Sequence, residues 1–199
     1  MKTFESTSEK KINFTSCEQC DALCCDGARG TTFSQLILDD FNEVFENFPI
    51  LFLRGNYGYL KPVVLLTNGQ TFCPYIKNFQ CTIYEKRPSV CRIYPLSPHI
   101  TDDIFVDTRC PAVSVETMSE KTTTFENINA NHPHLVDYQD KYIQMHLYFE
   151  KYNKKENLSE AYKINNMVFY KFNESLNDTY IQQHLHSLKQ LEKEYFNLS

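Results

Sequence analysis

The chain has 199 residues, 42% of them hydrophobic and 23% charged, with thirteen Tyr, fifteen Phe and no Trp. That length is enough to bury an ordinary core, so its eight cysteines are not needed to compensate for a missing one. A formal net charge of -5 argues against a general binder of nucleic acid or anionic membrane, because phosphate charge has to be met by Lys and Arg.

The opening "MKTFESTSEKKINFTS" is polar and lacks the apolar stretch of a secretory signal. No apolar run approaches the roughly 18 residues of a membrane span. The expected compartment is the cytoplasm, where thiols stay reduced, and ligation then explains the cysteines better than disulfides do. Residues 1–13 read as a flexible N-terminus, and 14–115 as a cysteine-cluster domain in which short apolar runs alternate with loops such as "DGARG" and "TNGQ". Within that domain "LILDDFNEVFENF" predicts a helix, capped by Ser34 or Asp39 and stopped by Pro49. "YLKPVVLLTN" predicts a strand, with Pro62 at a sheet edge or at the strand's beginning.

Residues 116–133, rich in Thr, Asn and Glu, read as a connection. From 134 to 199 there is neither Gly nor Pro, and apolar residues fall at helical spacing. Leu135, Tyr138, Tyr142, Met145, Phe149 and Tyr152 form one stripe; Ala161, Ile164, Val168 and Phe172 a second; Ile181, His184, Leu188, Leu191 and Tyr195 a third. "NKKEN" and "NESLND" are the polar breaks, suited to turns and N-caps. The expected fold class is therefore mainly α with irregular loops. A small Cys-rich domain with a few short strands would precede an α-helical hairpin or a three-helix C-terminal region.

The cysteines are Cys17, Cys20, Cys24, Cys25, Cys73, Cys81, Cys91 and Cys110. Two residues between Cys17 and Cys20 let both sulfurs turn toward one ion, as in zinc knuckles and iron–sulfur proteins alike. Adjacent cysteines rarely bond to each other and their side chains tend to diverge, so Cys24 and Cys25 suit two neighbouring centres or a bridge between them. Eight thiols suffice for two tetrahedral sites, and the spacing leaves open which four go together. Two such centres, zinc or iron–sulfur, carry a formal negative charge that calls for nearby cations. Of the five arginines, Arg29, Arg87, Arg92 and Arg109 lie within four positions of a cysteine and read as donors around the sulfurs. Cys73-Pro74 and Cys110-Pro111 are the Cys-Pro step found in some iron–sulfur proteins. His132, His134, His184 and His186 lack companions at ligand spacing, while His99 stands beside the cysteine segment.

"CEQCDALCC", "CPYIKNFQCTIYEKRPSVCRIYP" and "DTRCP" together resemble the YkgJ-type cysteine-cluster family, described as a zinc- or iron-chelating domain with a CxxCxxxCC opening. The resemblance runs from about residue 14 to 113. It implies metal or cluster binding by all eight cysteines, with Arg87, Pro88, Arg92, Tyr94 and Pro95 as framework. The family is also related to the cysteine domain of flagellin lysine methylases, although the last third of this chain does not share that likeness.

No dinucleotide, P-loop, metalloprotease or nucleophile-elbow motif occurs in the sequence. Four thiolates on one metal leave no open position for a substrate. The leading expectation is a cytoplasmic protein with a structural metal centre, acting through a protein partner such as a flagellar or secretion component. One alternative is a protein-lysine methyltransferase, or an accessory to one, using S-adenosylmethionine. Another is a redox or metal-storage protein.

Overall fold

The computed structural model describes residues 3–7, 10–14, 20–55, 58–98, 103–117 and 137–196. Its centre is a five-stranded antiparallel sheet in the order β11-β12-β4-β5-β3. The strands are β3 (Phe33–Gln35), β4 (Ile50–Arg54), β5 (Leu60–Leu65), β11 (Leu158–Ile164) and β12 (Met167–Phe172). Three smaller sheets surround it. β1 (Phe4–Ser6), β9 (Ile104–Asp107) and β8 (Leu96–Pro98) form one, in that spatial order. β10 (Val113–Thr117) pairs with β2 (Lys10–Phe14), and β6 (Ile76–Lys77) pairs with β7 (Gln80–Cys81). The described α-helices are α1 (Phe41–Val44), α2 (Ser89–Ile93), α3 (Tyr138–Glu150) and α4 (Thr179–Leu191).

The expectation of a mainly α protein is overturned: twelve strands in four antiparallel sheets stand against four helices among the described residues. Two of the three C-terminal stripes form helices from Tyr138 onward, Leu135 lying outside the described residues, and α3 buries Tyr138, Met145 and Phe149 as its stripe requires. The second stripe is the hairpin β11–β12. Its residues satisfy helical steps, yet Phe169, off the stripe, is fully buried, and "MVFYKF" favours the pleated surface on which branched and aromatic side chains pack. The two-residue link Asn165-Asn166 turns the chain, with Asn165 at a φ of 52°, a region Asn tolerates better than most residues.

The helix expected over 36–48 is shorter than its pattern. A 3-10 turn, Leu38–Asp40, leads into α1, and Ser34 lies in β3 instead of capping a helix. β1 and β2 fall in the stretch expected to be a flexible N-terminus. Of the expected connection, 118–133 lies outside the described residues, and Glu116 and Thr117 close β10.

Pro62 sits inside the sheet, between β4 and β3. Its carbonyl accepts from the Leu36 N–H at 3.2 Å, where β3 has already ended. A strand residue points its nitrogen and carbonyl to the same side, so the missing donor falls on that flank and leaves the β4–β5 ladder intact.

β4 and β5 are buried on both faces. Ile50, Phe52, Leu60 and Val64 meet α1, α3 and the start of α4 through Phe41, Met145, Phe149 and Ile181. The rings of Phe149 and Phe172 pack edge-on to Phe52 at 5.1 and 5.0 Å, an arrangement aromatic pairs favour. The alternate residues Leu51, Leu53, Val63 and Leu65 pack with Ile164, Phe169, Leu191 and Tyr195.

β12 and β4 share a single register pair, Tyr170 with Phe52, and α4 takes over where the ladder stops. His184 Nε2 accepts from the Phe172 N–H at 3.1 Å, and Nδ1–H donates to the Ile50 carbonyl at 2.6 Å. Ser187 Oγ accepts from the Ile50 N–H at 2.9 Å and donates to the His184 carbonyl at 2.6 Å. Asp178 caps α4 through the N–H groups of Tyr180 and Ile181.

Burial pushes the His184 imidazole down to about 4. The unfolded chain takes up that proton near the ordinary value of 6.5, so acid favours unfolding. Stability is complete above pH 6.5 and is lost progressively as pH falls toward 4, by on the order of 3 kcal/mol from this group. Half-buried His146, also pushed down to about 4 by burial, acts over the same window. Urea midpoints measured from pH 7.5 to 4 should therefore fall, and more steeply for the wild type than for His184→Gln, which is less stable at neutral pH.

Candidate metal centre

Cys20 to Gly30 makes two successive 3-10 turns, Leu23–Cys25 and Gly27–Arg29. Ala22 enters the first in the left-handed region, with a φ of 54°. Asp26 separates the turns and caps the second: its Oδ1 accepts from the Ala28 N–H at 3.0 Å and its Oδ2 lies 3.2 Å from Arg29 Nε. Two main-chain bonds fasten this segment to the next cysteine segment. The Gly27 N–H donates to the Thr71 carbonyl at 3.0 Å, and the Cys73 N–H to the Cys25 carbonyl at 2.9 Å. Cys73 then leads into the β6–β7 hairpin, whose pairing sets Ile76 opposite Cys81.

The remaining two described cysteines are positioned by buried carboxylates. Asp40, 4% exposed, accepts from the Ser89 N–H at 2.8 Å and the Ile37 N–H at 3.1 Å, and so holds the start of α2, which carries Cys91. Burial raises its pKa, against the pull of those bonds and of Arg92. Asp107, at the end of β9, accepts from the Thr3 N–H at 3.0 Å, the Tyr94 hydroxyl at 2.9 Å and the Arg109 N–H at 3.2 Å. Its carbonyl accepts from the Cys110 N–H at 3.1 Å. Burial raises the Tyr94 hydroxyl strongly, and Asp107, Cys110 and Cys24 add to it, which puts Tyr94 within the electrostatic reach of two cysteines.

Burial also pushes the Cys73 thiol up to about 12, and Cys81 and Cys24 act in the same direction. A thiol in this setting keeps its proton at neutral pH unless a cation arrives. The Cys24 and Cys25 sulfurs converge to 3.5 Å instead of diverging. Two thiolates on one tetrahedral ion, each at about 2.3 Å, stand roughly 3.8 Å apart, so this pair can share an ion with little movement.

The soft donors thus fit zinc or iron in kind. Among the described residues, however, no group of three or more His, Cys, Asp or Glu side chains has the closeness needed to hold an ion. Cys17 lies outside the described residues, as do His99, His132 and His134. No disulfide joins any two of the seven described cysteines.

Three of the expected arginine donors have other bonds. Arg29 pairs with Asp26. Arg87 Nε donates to the Tyr84 carbonyl at 2.7 Å, its guanidinium 3.4 Å from the Tyr84 ring centroid. Arg92 donates to the carbonyls of Arg87 and Glu85 at 2.9 and 3.0 Å, folding the 84–92 segment on itself. Arg109 is placed by its backbone bond to Asp107, and Tyr94 by its hydroxyl. His184 is the sheet staple described above, and His186 is a surface residue 3.3 Å from Glu46.

Sequence reasoning passed over Asp26, Gly27, Asp40 and Asp107, which set the cysteine segments in place. "CCDG" held a local hint of the first two, a capping residue followed by a turn glycine. Compared with known proteins, the chain matches no family model, no curated protein and no solved structure.

A Cβ on Gly27 would lie 2.5 Å from both Thr67 Oγ1 and the Thr71 carbonyl oxygen, so the Cys24/Cys25 turn and the segment before Cys73 must part to admit it. Gly27→Ala should cost about 1–3 kcal/mol, as overpacking does, and should speed the reaction of the thiols with a disulfide reagent. Gly55→Ala, where the nearest atom is 3.6 Å away, serves as the control and should leave thiol reactivity unchanged.

Proposed function

We propose that the chain is a cytoplasmic metal-binding protein whose eight cysteines hold zinc or iron–sulfur at two neighbouring centres, with a structural role. The observation that carries this reading is the Cys24/Cys25 sulfur pair at 3.5 Å on a turn bonded to Cys73, whose thiol burial keeps protonated, with Cys81 and Cys24 acting in the same direction. Metal binding removes those protons and replaces mutual repulsion with shared attraction to a cation. Cysteine-lined turns with few long elements of their own are the kind of segment that gains most from such a staple. Cys25, Cys73 and Cys91 also touch the main apolar core, so the free energy of ligation reaches the sheet.

The sequence resemblance adds a protein partner to this reading, of flagellar or secretion type. Coordination by four thiolates favours a scaffold over a catalyst, because no position stays open at the metal. Among the described residues no helix is long and apolar enough to cross a membrane.

The decisive measurement is the metal and acid-labile sulfide content of protein purified without oxygen. Metal near stoichiometric with the chain is expected, falling in Cys24→Ser and Cys73→Ser. Zinc without colour means closed structural sites, and iron with sulfide and a visible absorption band means clusters. Chelation should lower the melting temperature of one cooperative transition, by about 2–4 °C for each kcal/mol of ligation lost. Metal-free protein with eight reactive thiols and an unchanged melting temperature on adding zinc or iron would overturn the reading.

A further inference from the structure

A cavity of about 510 Å³ opens between the C-terminal end of α3 and the N-terminal end of α4, with no cysteine in its lining. Tyr148, Tyr152 and Tyr180 line it, with Asp178 among them. The rings of Tyr148 and Tyr180 stand nearly perpendicular, at 85°, with centroids 5.1 Å apart. Asp178 is fixed in place. Its Oδ1 accepts from the N–H groups of Tyr180 and Ile181 at 3.0 and 3.1 Å, and its Oδ2 from the hydroxyls of Tyr148 and of Tyr152, the latter at 2.8 Å. The side chain is 4% exposed, and its pKa is lowered, the tyrosine hydroxyls, the Ile181 amide and Lys151 outweighing desolvation.

A cation of the same chain lines this space and stands against its ring faces. Lys151 Nζ lies 3.9 Å from the Tyr148 ring centroid, 4.7 Å from that of Tyr152 and 3.9 Å from Asp178 Oδ2. The distance to the carboxylate is too long for a hydrogen bond. The ammonium is held by ring faces, by the field of a buried charge and by an interaction with the Tyr152 hydroxyl, without a hydrogen bond to Asp178. Ring faces of this kind also receive quaternary ammonium, a cation that has no N–H to give, and the buried Asp178 carboxylate adds an attractive field. Lys151 itself is loosely committed, since its side chain is 52% exposed and can turn into water from the end of α3.

We propose that this tyrosine cage is a binding site for a methylated ammonium group, and that Lys151 is the internal occupant such a ligand displaces. The group can belong to a small solute or to a methylated lysine on another protein. The inference stands apart from the cysteine reading.

The test titrates the full chain with tetramethylammonium, followed by tyrosine fluorescence and NMR. Weak binding is expected for the wild type. Lys151→Ala should bind more tightly, by a factor on the order of two to ten, because an internal occupant lowers apparent affinity by the fraction of time it fills the site. Tyr152→Phe keeps the ring and should keep binding, whereas Tyr152→Leu, with an unchanged melting temperature, should lose it. Choline and a trimethyl-lysine peptide then separate the sources: tighter choline binding assigns a small solute, and tighter peptide binding a protein side chain. Equal affinity for the unmethylated peptide, no binding by Lys151→Ala, or full binding by Tyr152→Leu would each overturn the proposal.

Discussion

One imidazole joins the two parts of the central sheet. β4 comes from the first third of the chain and β12 from the last, and their ladder supplies a single register pair. Beyond it, the N–H and carbonyl of Ile50 and the N–H of Phe172 would be buried without partners, each at a cost of about 1–3 kcal/mol. His184 and Ser187 meet all three from one helix. The arrangement demands a neutral ring with its proton on Nδ1, since Ile50 offers an acceptor and Phe172 a donor. It also demands that α4 approach the strands closely, and Phe52 and Phe172 pack edge-on to that ring at 5.0 and 5.9 Å.

The cysteine segments hang from the same body. Cys25, Cys73 and Cys91 pack against the core that contains Phe52, Phe149 and Ile181, so the segments cannot shift freely while the sheet stays intact. A smaller core, with Ile37, Ile93, Leu96, Val106 and Tyr138, links α2 and the N-terminal strands to α3. Tyr138 feels both Asp40 and Cys91, which raise its hydroxyl after burial has done so. Packing, capping and the electrostatics of the thiols are therefore coupled through a few side chains instead of being divided between separate regions.

Parts of this were legible in sequence and parts were not, for identifiable reasons. The stripes of α3 and α4 and the cap at Asp178 follow from spacing, because each helix turns one face to the core, although that face of α4 also carries the polar His184, Ser187 and Gln190. β5 was readable from its branched residues, although Pro62 suggested an edge; only the neighbouring strand's end explains its tolerance inside the sheet. Ala161, Ile164, Val168 and Phe172 fit a helix as well as a strand, and the deciding facts were the Asn165-Asn166 turn and the burial of Phe169. β4, "ILFLR", is buried on both faces and so has no periodicity to read. The spacing of the cysteines marked them as a set. It did not reveal Asp40 or Asp107 as their anchors, because the partners Ser89 and Thr3 are 49 and 104 residues away in sequence.

Those anchors bear on what the thiols can do. Cys91 and Cys110 sit on segments held by carboxylates, and Cys73 and Cys24 lie near one another. Three of the four arginines that sequence placed nearby order the local chain: Arg29 bonds to Asp26, and Arg87 and Arg92 bond to backbone carbonyls. Ionising several thiols here would gather negative charge in a partly dry region, which calls for compensating positive charge. A divalent cation supplies that charge at the sulfurs themselves, over bonds of about 2.3 Å, where an arginine acting from a neighbouring loop cannot. On the metal-binding reading proposed above, the cation would meet that charge at the sulfurs, while Arg29, Arg87 and Arg92 order the segments that carry the thiols.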